Sequence, residues 1–345
     1  MKIAMERWIT MAMQFIVPGI KMALQASPEP SEDDLKLYQQ LGAEWVVMWT
    51  GESKASAEYY ASRRKLFEDH GMRIYGFGNF DVHNQDAIVL NLENRNAKVE
   101  QYKKHLRDLG KAGIPYTTYA HMANGIWSTE REATRGGAAA RAFDLEKAVK
   151  GDWIGRQYVG PLTHGRKYTQ EEIWENFAKF IREVAPVAEE AGVRIGIHPD
   201  DPPVPDLAGI PRCIFGNYDG YVKALDYAGS PNIGMCLCVG CWLEGGPLMG
   251  KGVLETIADF GAKKRLFKVH LRNVDQPLPH FKETFLDNGY MDMAKVMKAI
   301  RAIDFDGVVI ADHIPLMGGD HRIGTAYSIG YINALIKQAN AEYAG

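Results

Sequence analysis

Four residues whose side chains bind metals occur at matching positions in the second half of the chain. His198, Cys238, His270 and Asp312 each lie at or near the end of a short apolar run. Two imidazoles, a thiolate and a carboxylate suit a borderline divalent ion such as Mn²⁺, Fe²⁺, Co²⁺, Ni²⁺ or Zn²⁺ better than Mg²⁺ or Ca²⁺. A single strand Cys is usually a small apolar filler, but packing does not require such residues at the same place in four successive units. The pattern therefore predicts a metal site, and we expect no organic cofactor.

The elements that would position these residues are eight short apolar runs, each followed by a polar turn and a stretch with helical periodicity. This alternation predicts an α/β fold of the single (β/α)8 TIM barrel type. A parallel barrel brings the carboxyl ends of its strands to one face, which would gather the four residues. The predicted strands span residues 21–26, 45–50, 73–79, 116–122, 194–199, 233–238, 266–273 and 307–312.

Start and stop signals of helices lie between these runs. Ser31 and Thr169 precede helical stretches as hydroxyl N-caps. Glycines follow helical stretches and precede predicted strands, which is typical of a left-handed C-terminal cap. They are Gly42, Gly71, Gly113 and Gly192.

We interpret residues 1–345 as one barrel domain with residues 1–20 as an N-terminal extension. Residues 123–168 follow the fourth predicted strand, exceed the length of a simple βα loop and are rich in Gly and Arg around 135–138. Loops that follow strands form the catalytic face of such barrels, so this segment is predicted to be an active-site-face insertion. The alternative is a disordered surface loop. Apolar residues near Met11 and Phe15 suggest a subunit contact, and we expect a homo-oligomer.

The composition and charge of the chain disfavour several classes of protein function. The net charge of −3 provides no basic surface for nucleic acid. No run reaches the ~18 to 20 apolar residues of a membrane span, and no small-residue cleavage site follows the apolar N-terminal run, so we expect a cytoplasmic protein. The four cysteines all lie within 213–241, which argues against a disulfide framework. Cys238 and Cys241 form a C-x-x-C, so a redox pair or half of a zinc site is the competing interpretation.

Several segments resemble the mannonate dehydratase family of xylose-isomerase-like barrels. The resemblance covers roughly the last 150 residues well and is thinner upstream. The family's N-terminal Arg-Trp-Tyr-Gly is replaced by residues 6–9, and Leu286 stands where a His is typical, which predicts a divergent member. The matching motifs are His198-Pro199-Asp200-Asp201-Pro202-Pro203, the segment around Cys238, His270-Leu271-Arg272-Asn273, Ala311-Asp312-His313 and the segment around Tyr327-Ser328.

The resemblance implies the same four metal ligands that strand position selects, with Mn²⁺ or Fe²⁺ as the expected ion. It also implies acid/base roles for His313 and Tyr327. Arg272 is expected to meet the substrate carboxylate, with a structural ion pair as the alternative. Asp200 and Asp201 are expected to be either solvated loop charges or carboxylates that orient a ligand imidazole.

The function that follows is a hydro-lyase of hexuronate catabolism, which converts the small sugar acid D-mannonate to 2-keto-3-deoxy-D-gluconate and water. Three alternatives remain open on the sequence. A metal-dependent sugar isomerase or epimerase would share the fold and the metal. A barrel endonuclease is disfavoured by the charge, and a non-catalytic sugar-binding barrel is disfavoured by the complete residue set.

Overall fold

Eight parallel strands form the centre of the molecule, as the sequence predicts. The structure is a computed structural model that describes residues 19–344. Their bounds are β1 (Lys21–Gln25), β2 (Trp45–Thr50), β3 (Arg73–Asn79), β4 (Tyr116–Tyr119), β5 (Arg194–Ile197), β6 (Ile233–Cys238), β7 (Leu266–Leu271) and β8 (Val308–Ala311). The strands pair in the order β3-β2-β1-β8-β7-β6-β5-β4, which is the neighbour order of a (β/α)8 barrel.

The barrel closes between β3 and β4 by packing. Among residues 19–344, seven neighbouring pairs share a backbone ladder, and β3 and β4 lie side by side without one. Gly76 on β3 lies against Tyr116 on β4, where a Cβ would be 2.5 Å from the ring atom Cδ1. The absence of a side chain at Gly76 therefore allows the two strands to approach.

The helices surround the barrel and begin and end where the sequence signals predict. Ser31 and Thr169 each form a capping box, with Asp34 and Glu172 respectively. The four predicted cap glycines all have positive φ, between 64° and 76°. The bounds are α1 (Glu32–Gln40), α2 (Ala57–Asp69), α3 (Arg95–Ala112), α4 (Gln170–Ala191), α5 (Tyr218–Ala228), α6 (Val253–Ala262), α7 (Met293–Ala302) and α8 (His321–Ala344), with short helices at Asp86–Val89 and Val239–Gly245.

Residues 123–168 are folded into short strands. Lys150–Trp153 pairs with Arg156–Val159 and with Ile126–Trp127 in a three-stranded sheet. Ala142–Asp144 pairs with His280–Thr284, which lies in the connection after β7. This second pairing ties the segment to the loops that follow the barrel strands.

Residues 1–18 lie outside the part of the chain that the structure describes, and so does the predicted subunit contact near Met11 and Phe15. The single-domain interpretation of residues 1–345 stays a prediction for the same reason. Within the described range, no helix has the length and apolar character required to cross a membrane.

Candidate functional site

The four predicted ligands meet at the carboxyl ends of β5 to β8. Cys238 ends β6 and is in register with His270 on β7. His198 directly follows β5, and its backbone N–H still donates to the carbonyl of Tyr119 on β4. Asp312 directly follows β8, and its N–H donates to Leu271. The strands of a parallel barrel thus place four distant residues at one level.

The candidate ligand atoms are close enough to share one ion. The Asp312 carboxylate lies 3.5 Å from His270 Nδ1 and 3.7 Å from Cys238 Sγ. The rings of His198 and His270 have centroids 5.0 Å apart. Ligand atoms of Cys238, His270 and Asp312 all lie within 4.8 Å of one another, and so do those of His198, Cys238 and Cys241.

Two observations fit these residues to a divalent ion. His270 Nδ1 is buried without a hydrogen-bond partner in the described part of the chain, which is costly unless another group binds it. His198 Nδ1 lies 2.8 Å from the backbone carbonyl oxygen of the next residue, Pro199. Nδ1 therefore carries the ring proton, and Nε2 has the lone pair that can bind a metal. The donor set of two nitrogens, a sulfur and a carboxylate oxygen is that of a borderline metal.

Local electrostatics favour the anionic form of Cys238. Burial by itself raises the pKa of this thiol, but contact with Cys241 and the positive charge of Arg272 hold it well below its usual range. The backbone N–H of Cys241 also points at the Cys238 sulfur, at 3.5 Å. A thiolate at this position is the form that binds metals.

Cys241 is turned toward Arg272 as well as toward Cys238. A guanidinium nitrogen of Arg272 lies 3.0 Å from the Cys241 sulfur. Burial and the contact with Cys238 raise the pKa of the Cys241 thiol well above its usual range, which disfavours Cys241 as a thiolate ligand and with it the zinc-site interpretation of the C-x-x-C. All four cysteines are free thiols.

Arg272 is enclosed by acidic side chains and has no exposed side-chain surface. Its nearest carboxylate oxygen belongs to Glu244, at 2.8 Å, and those of Asp201, Glu283 and Asp312 follow at 3.2 to 3.3 Å. A group so enclosed cannot reach a substrate without rearrangement. The geometry therefore favours the ion-pair alternative for Arg272 over contact with a substrate carboxylate.

His313 lies beside the ligand cluster and is partly open to a cavity. Its Nδ1 is 2.7 Å from Glu283 and 2.9 Å from Arg272, and 40% of the side chain is exposed. Burial would lower its pKa, but the charges of Glu283 and Asp312 raise that pKa to about 9. The cavity has a volume of about 330 Å³ and is lined by Arg131, Arg141, Glu283, Asp312, His313, Ile314, Pro315, His321 and Thr325.

Tyr327 lies on α8 away from that cavity. His321 and Thr325 of the same helix line the cavity, and Tyr327 is turned roughly 200° from Thr325 at the ~100° per residue of an α-helix. Its hydroxyl lies 3.4 Å from Arg135, and its ring packs edge-on against Phe285. The structure thus brings His313 to the ligand cluster and leaves Tyr327 outside it.

Sequence reasoning missed the importance of Arg141 and Glu283 and left two alternatives open for Asp201. Asp201 is buried, at 1% exposure, so its interpretation as a solvated loop charge is wrong. It lies 2.6 Å from Arg141, which also lies 3.1 Å from Glu283. No local sequence pattern at Arg141 or Glu283 distinguishes a buried charge from a solvated one.

Comparisons with known proteins agree on one family. The model of the D-mannonate dehydratase (UxuA) family matches residues 39–157 and 160–341, so the resemblance extends much further upstream than the last 150 residues. A mannonate dehydratase of Oceanobacillus iheyensis is 28% identical over 308 residues, which is 79% of this chain and 83% of that protein.

Solved structures agree with the sequence comparisons. The mannonate dehydratase from Streptococcus suis serotype 2 superposes with a TM-score of 0.83 at 26% identity, covering 95% of both chains. A xylose isomerase domain protein from Planctomyces limnophilus superposes with a TM-score of 0.61 at 12% identity, covering 94% of this chain and 99% of the other. The second likeness supports the barrel fold alone.

Proposed function

This chain belongs to the D-mannonate dehydratase family, whose members are metal-dependent hydro-lyases, and from that premise we propose how its residues act on D-mannonate. The reaction removes the proton next to the carboxylate and expels the hydroxyl one carbon further along, giving 2-keto-3-deoxy-D-gluconate and water. The convergence of His198, Cys238, His270 and Asp312 at four strand ends carries this proposal.

We assign those four residues as the metal ligands, and Mn²⁺ or Fe²⁺ as the ion, with Co²⁺, Ni²⁺ and Zn²⁺ compatible with the same donors. When bound, a divalent ion supplies Lewis-acid stabilisation of the negative charge that develops beside the carboxylate. The chain contributes two anionic ligands, Cys238 and Asp312, and two imidazoles, of which His270 is buried and His198 partly buried.

His313 is the proposed proton-transfer group. Glu283 holds its Nδ1 at 2.7 Å, which fixes the ring and leaves Nε2 as the nitrogen that exchanges a proton with the substrate. Its position on the cavity wall next to Asp312 supports this role. Tyr327 is the proposed second acid/base group, and it requires a movement of α8 or of the substrate to reach the same cavity.

Recognition of the substrate carboxylate is assigned to Arg131 in place of Arg272. Arg131 is exposed on the wall of the cavity and has no ion-pair partner within residues 19–344. Arg141 on the same wall already donates hydrogen bonds to Ser128, Asp201 and Glu283. An unpaired guanidinium can form the bidentate contact that a carboxylate prefers.

The test is an assay for 2-keto-3-deoxygluconate with D-mannonate and protein loaded anaerobically with Mn²⁺ or Fe²⁺. Production by the wild type, its loss in His270→Ala and its retention in Cys213→Ala are the expected results. Cys213 is a matched control because it is a cysteine outside the site. Metal-loaded wild type that only interconverts sugars of equal mass would replace the dehydratase proposal with an isomerase. A cytoplasmic location and a homo-oligomer stay predictions.

A further inference from the structure

A second cysteine beside the proposed ligands has no role in the function described above. Cys236 precedes Cys238 by two residues on β6, so both side chains lie on the same face of the strand. Its sulfur is fully buried and lies 3.4 Å from His270 Nε2. The other nitrogen of that ring, Nδ1, is the one 3.5 Å from Asp312.

We propose that Cys236 is a positioning residue of the metal centre. Its sulfur accepts a hydrogen bond from the Nε2–H of His270 and thereby selects the tautomer whose Nδ1 lone pair binds the ion. The proposal rests on the proposed function, because it takes His270 as a ligand.

The tautomer follows from the partners of the ring. A neutral imidazole has one N–H donor and one lone pair, and a ligating His usually donates its N–H to an oxygen acceptor. In the described part of the chain, Cys236 is the hydrogen-bond partner of Nε2, and Nδ1 has none. A proton on Nδ1 would face the Asp312 carboxylate, which is 3.5 Å away and outside hydrogen-bond geometry, whereas a proton on Nε2 has the Cys236 sulfur as its acceptor and leaves Nδ1 free for the ion.

The contrast with His198 makes the role testable. The Nδ1–H of His198 donates to the backbone carbonyl of Pro199, which no substitution removes. For His270 the corresponding acceptor is a side chain, so it can be deleted while the ligand remains.

On the neighbouring strand β7, the residue beside Cys236 is polar. Lys268 is its register partner across the β6–β7 pair and is buried, at 2% exposure. The Lys268 amine lies 5.9 Å from the centre of the Tyr116 ring. A cysteine that only filled apolar space would not be expected in contact with an imidazole and in register with a buried lysine.

The experiment compares Cys236→Ala, which deletes the acceptor, with Cys236→Ser, which keeps one. Dissociation constants for Co²⁺ are measured on metal-free protein by competition with a chelator. Loss of an outer partner of a ligand His weakens metal binding by about 10- to 100-fold, and this is the expected result for Cys236→Ala. Cys236→Ser is expected to recover most of that loss, and Cys213→Ala to match the wild type.

Further readouts separate positioning from simple packing. The Co²⁺ thiolate absorption band from Cys238 should persist in both variants, because all four ligands remain. If Cys236→Ala does not fold, Cys236→Thr and Cys236→Val form a second pair of equal shape, and Thr is expected to bind Co²⁺ more tightly.

Two results would overturn the inference alone: wild-type affinity in folded Cys236→Ala, or equal affinities in the Thr and Val variants. Failure of the wild type itself to bind Co²⁺, or unchanged binding in His270→Ala, would instead reject the proposed ligand set.

Discussion

At the scale of single residues, the site combines a buried guanidinium with more carboxylates than it can neutralise. Arg272 contacts Asp201, Glu244, Glu283 and Asp312. Burial raises the pKa of Glu244 to about 8, against the lowering effect of the Arg272 charge. The remaining negative charge is shared with Arg141 and His313. The contact between Glu283 and His313 thus belongs to a network in which each partner constrains the next.

Glu283→Gln is expected to slow turnover without removing the metal. The substitution keeps the shape of the side chain but removes the charge that holds His313 Nδ1 at 2.7 Å. Because His313, the proposed proton-transfer group, loses its orientation, kcat is expected to fall by about 10- to 100-fold. Steady-state kinetics with D-mannonate and elemental analysis of the purified protein measure the two quantities.

Glu132→Gln is the matched control for that substitution. Glu132 also lies 2.7 Å from a histidine, His280, but the pair is on the surface. The turnover of Glu132→Gln is expected to stay within about twofold of that of the wild type, since exposed ion pairs contribute little free energy. Equal kcat values in the two variants would remove Glu283 from the mechanism.

At the scale of elements, one side chain connects the segment 123–168 to the barrel loops. Arg141 donates to Ser128 and to the carbonyl of Trp127 within the segment. It also binds Asp201 after β5 and Glu283 after β7. The guanidinium therefore links three connections that line the site.

Arg141→Met is expected to destabilise the fold by about 3 to 5 kcal/mol, because it removes one of the two guanidinium partners of the buried carboxylates Asp201 and Glu283. The free energy of unfolding is measured by urea titration, and cleavage within residues 145–162 by limited proteolysis. Arg166→Met is the control in the same segment, since its pair with Glu172 is exposed. Its expected cost is about 0 to 1 kcal/mol. A similar small cost for Arg141→Met would show that the link is not structural.

The same segment marks the limit of what the sequence predicts. The barrel strands and helix caps are local patterns, so β2, β3 and β6 begin and end where expected. The strand at Ala142–Asp144 pairs with residues more than a hundred positions later, and no local pattern specifies that partner. Strand position predicted that His198 and Cys238 converge, whereas the enclosure of Arg272 depends on side chains from several loops.

At the scale of the whole molecule, the barrel depends on close approach at the one strand pair of the described chain that lacks a ladder. A Cβ on Gly76 would lie 2.5 Å from Tyr116 Cδ1 and 3.1 Å from the Tyr116 carbonyl oxygen. The ring has little room to move, because the Tyr116 hydroxyl lies 3.1 Å from that of Thr118 and the side chain is fully buried. The strands themselves would have to separate to accept a methyl group.

Gly76→Ala is therefore expected to lower the free energy of unfolding by about 1 to 3 kcal/mol, the usual cost of overpacking. Gly330→Ala is the control, because this glycine lies inside α8 and an added Cβ would have no atom within 4 Å apart from the nearby backbone of its own helix. That change should stabilise the protein by up to about 1 kcal/mol through helix propensity. Urea unfolding of both variants measures their changes in the free energy of unfolding, which are expected to have opposite signs. A stabilised Gly76→Ala would mean that β3 and β4 tolerate separation, and that closure of the barrel does not depend on this contact.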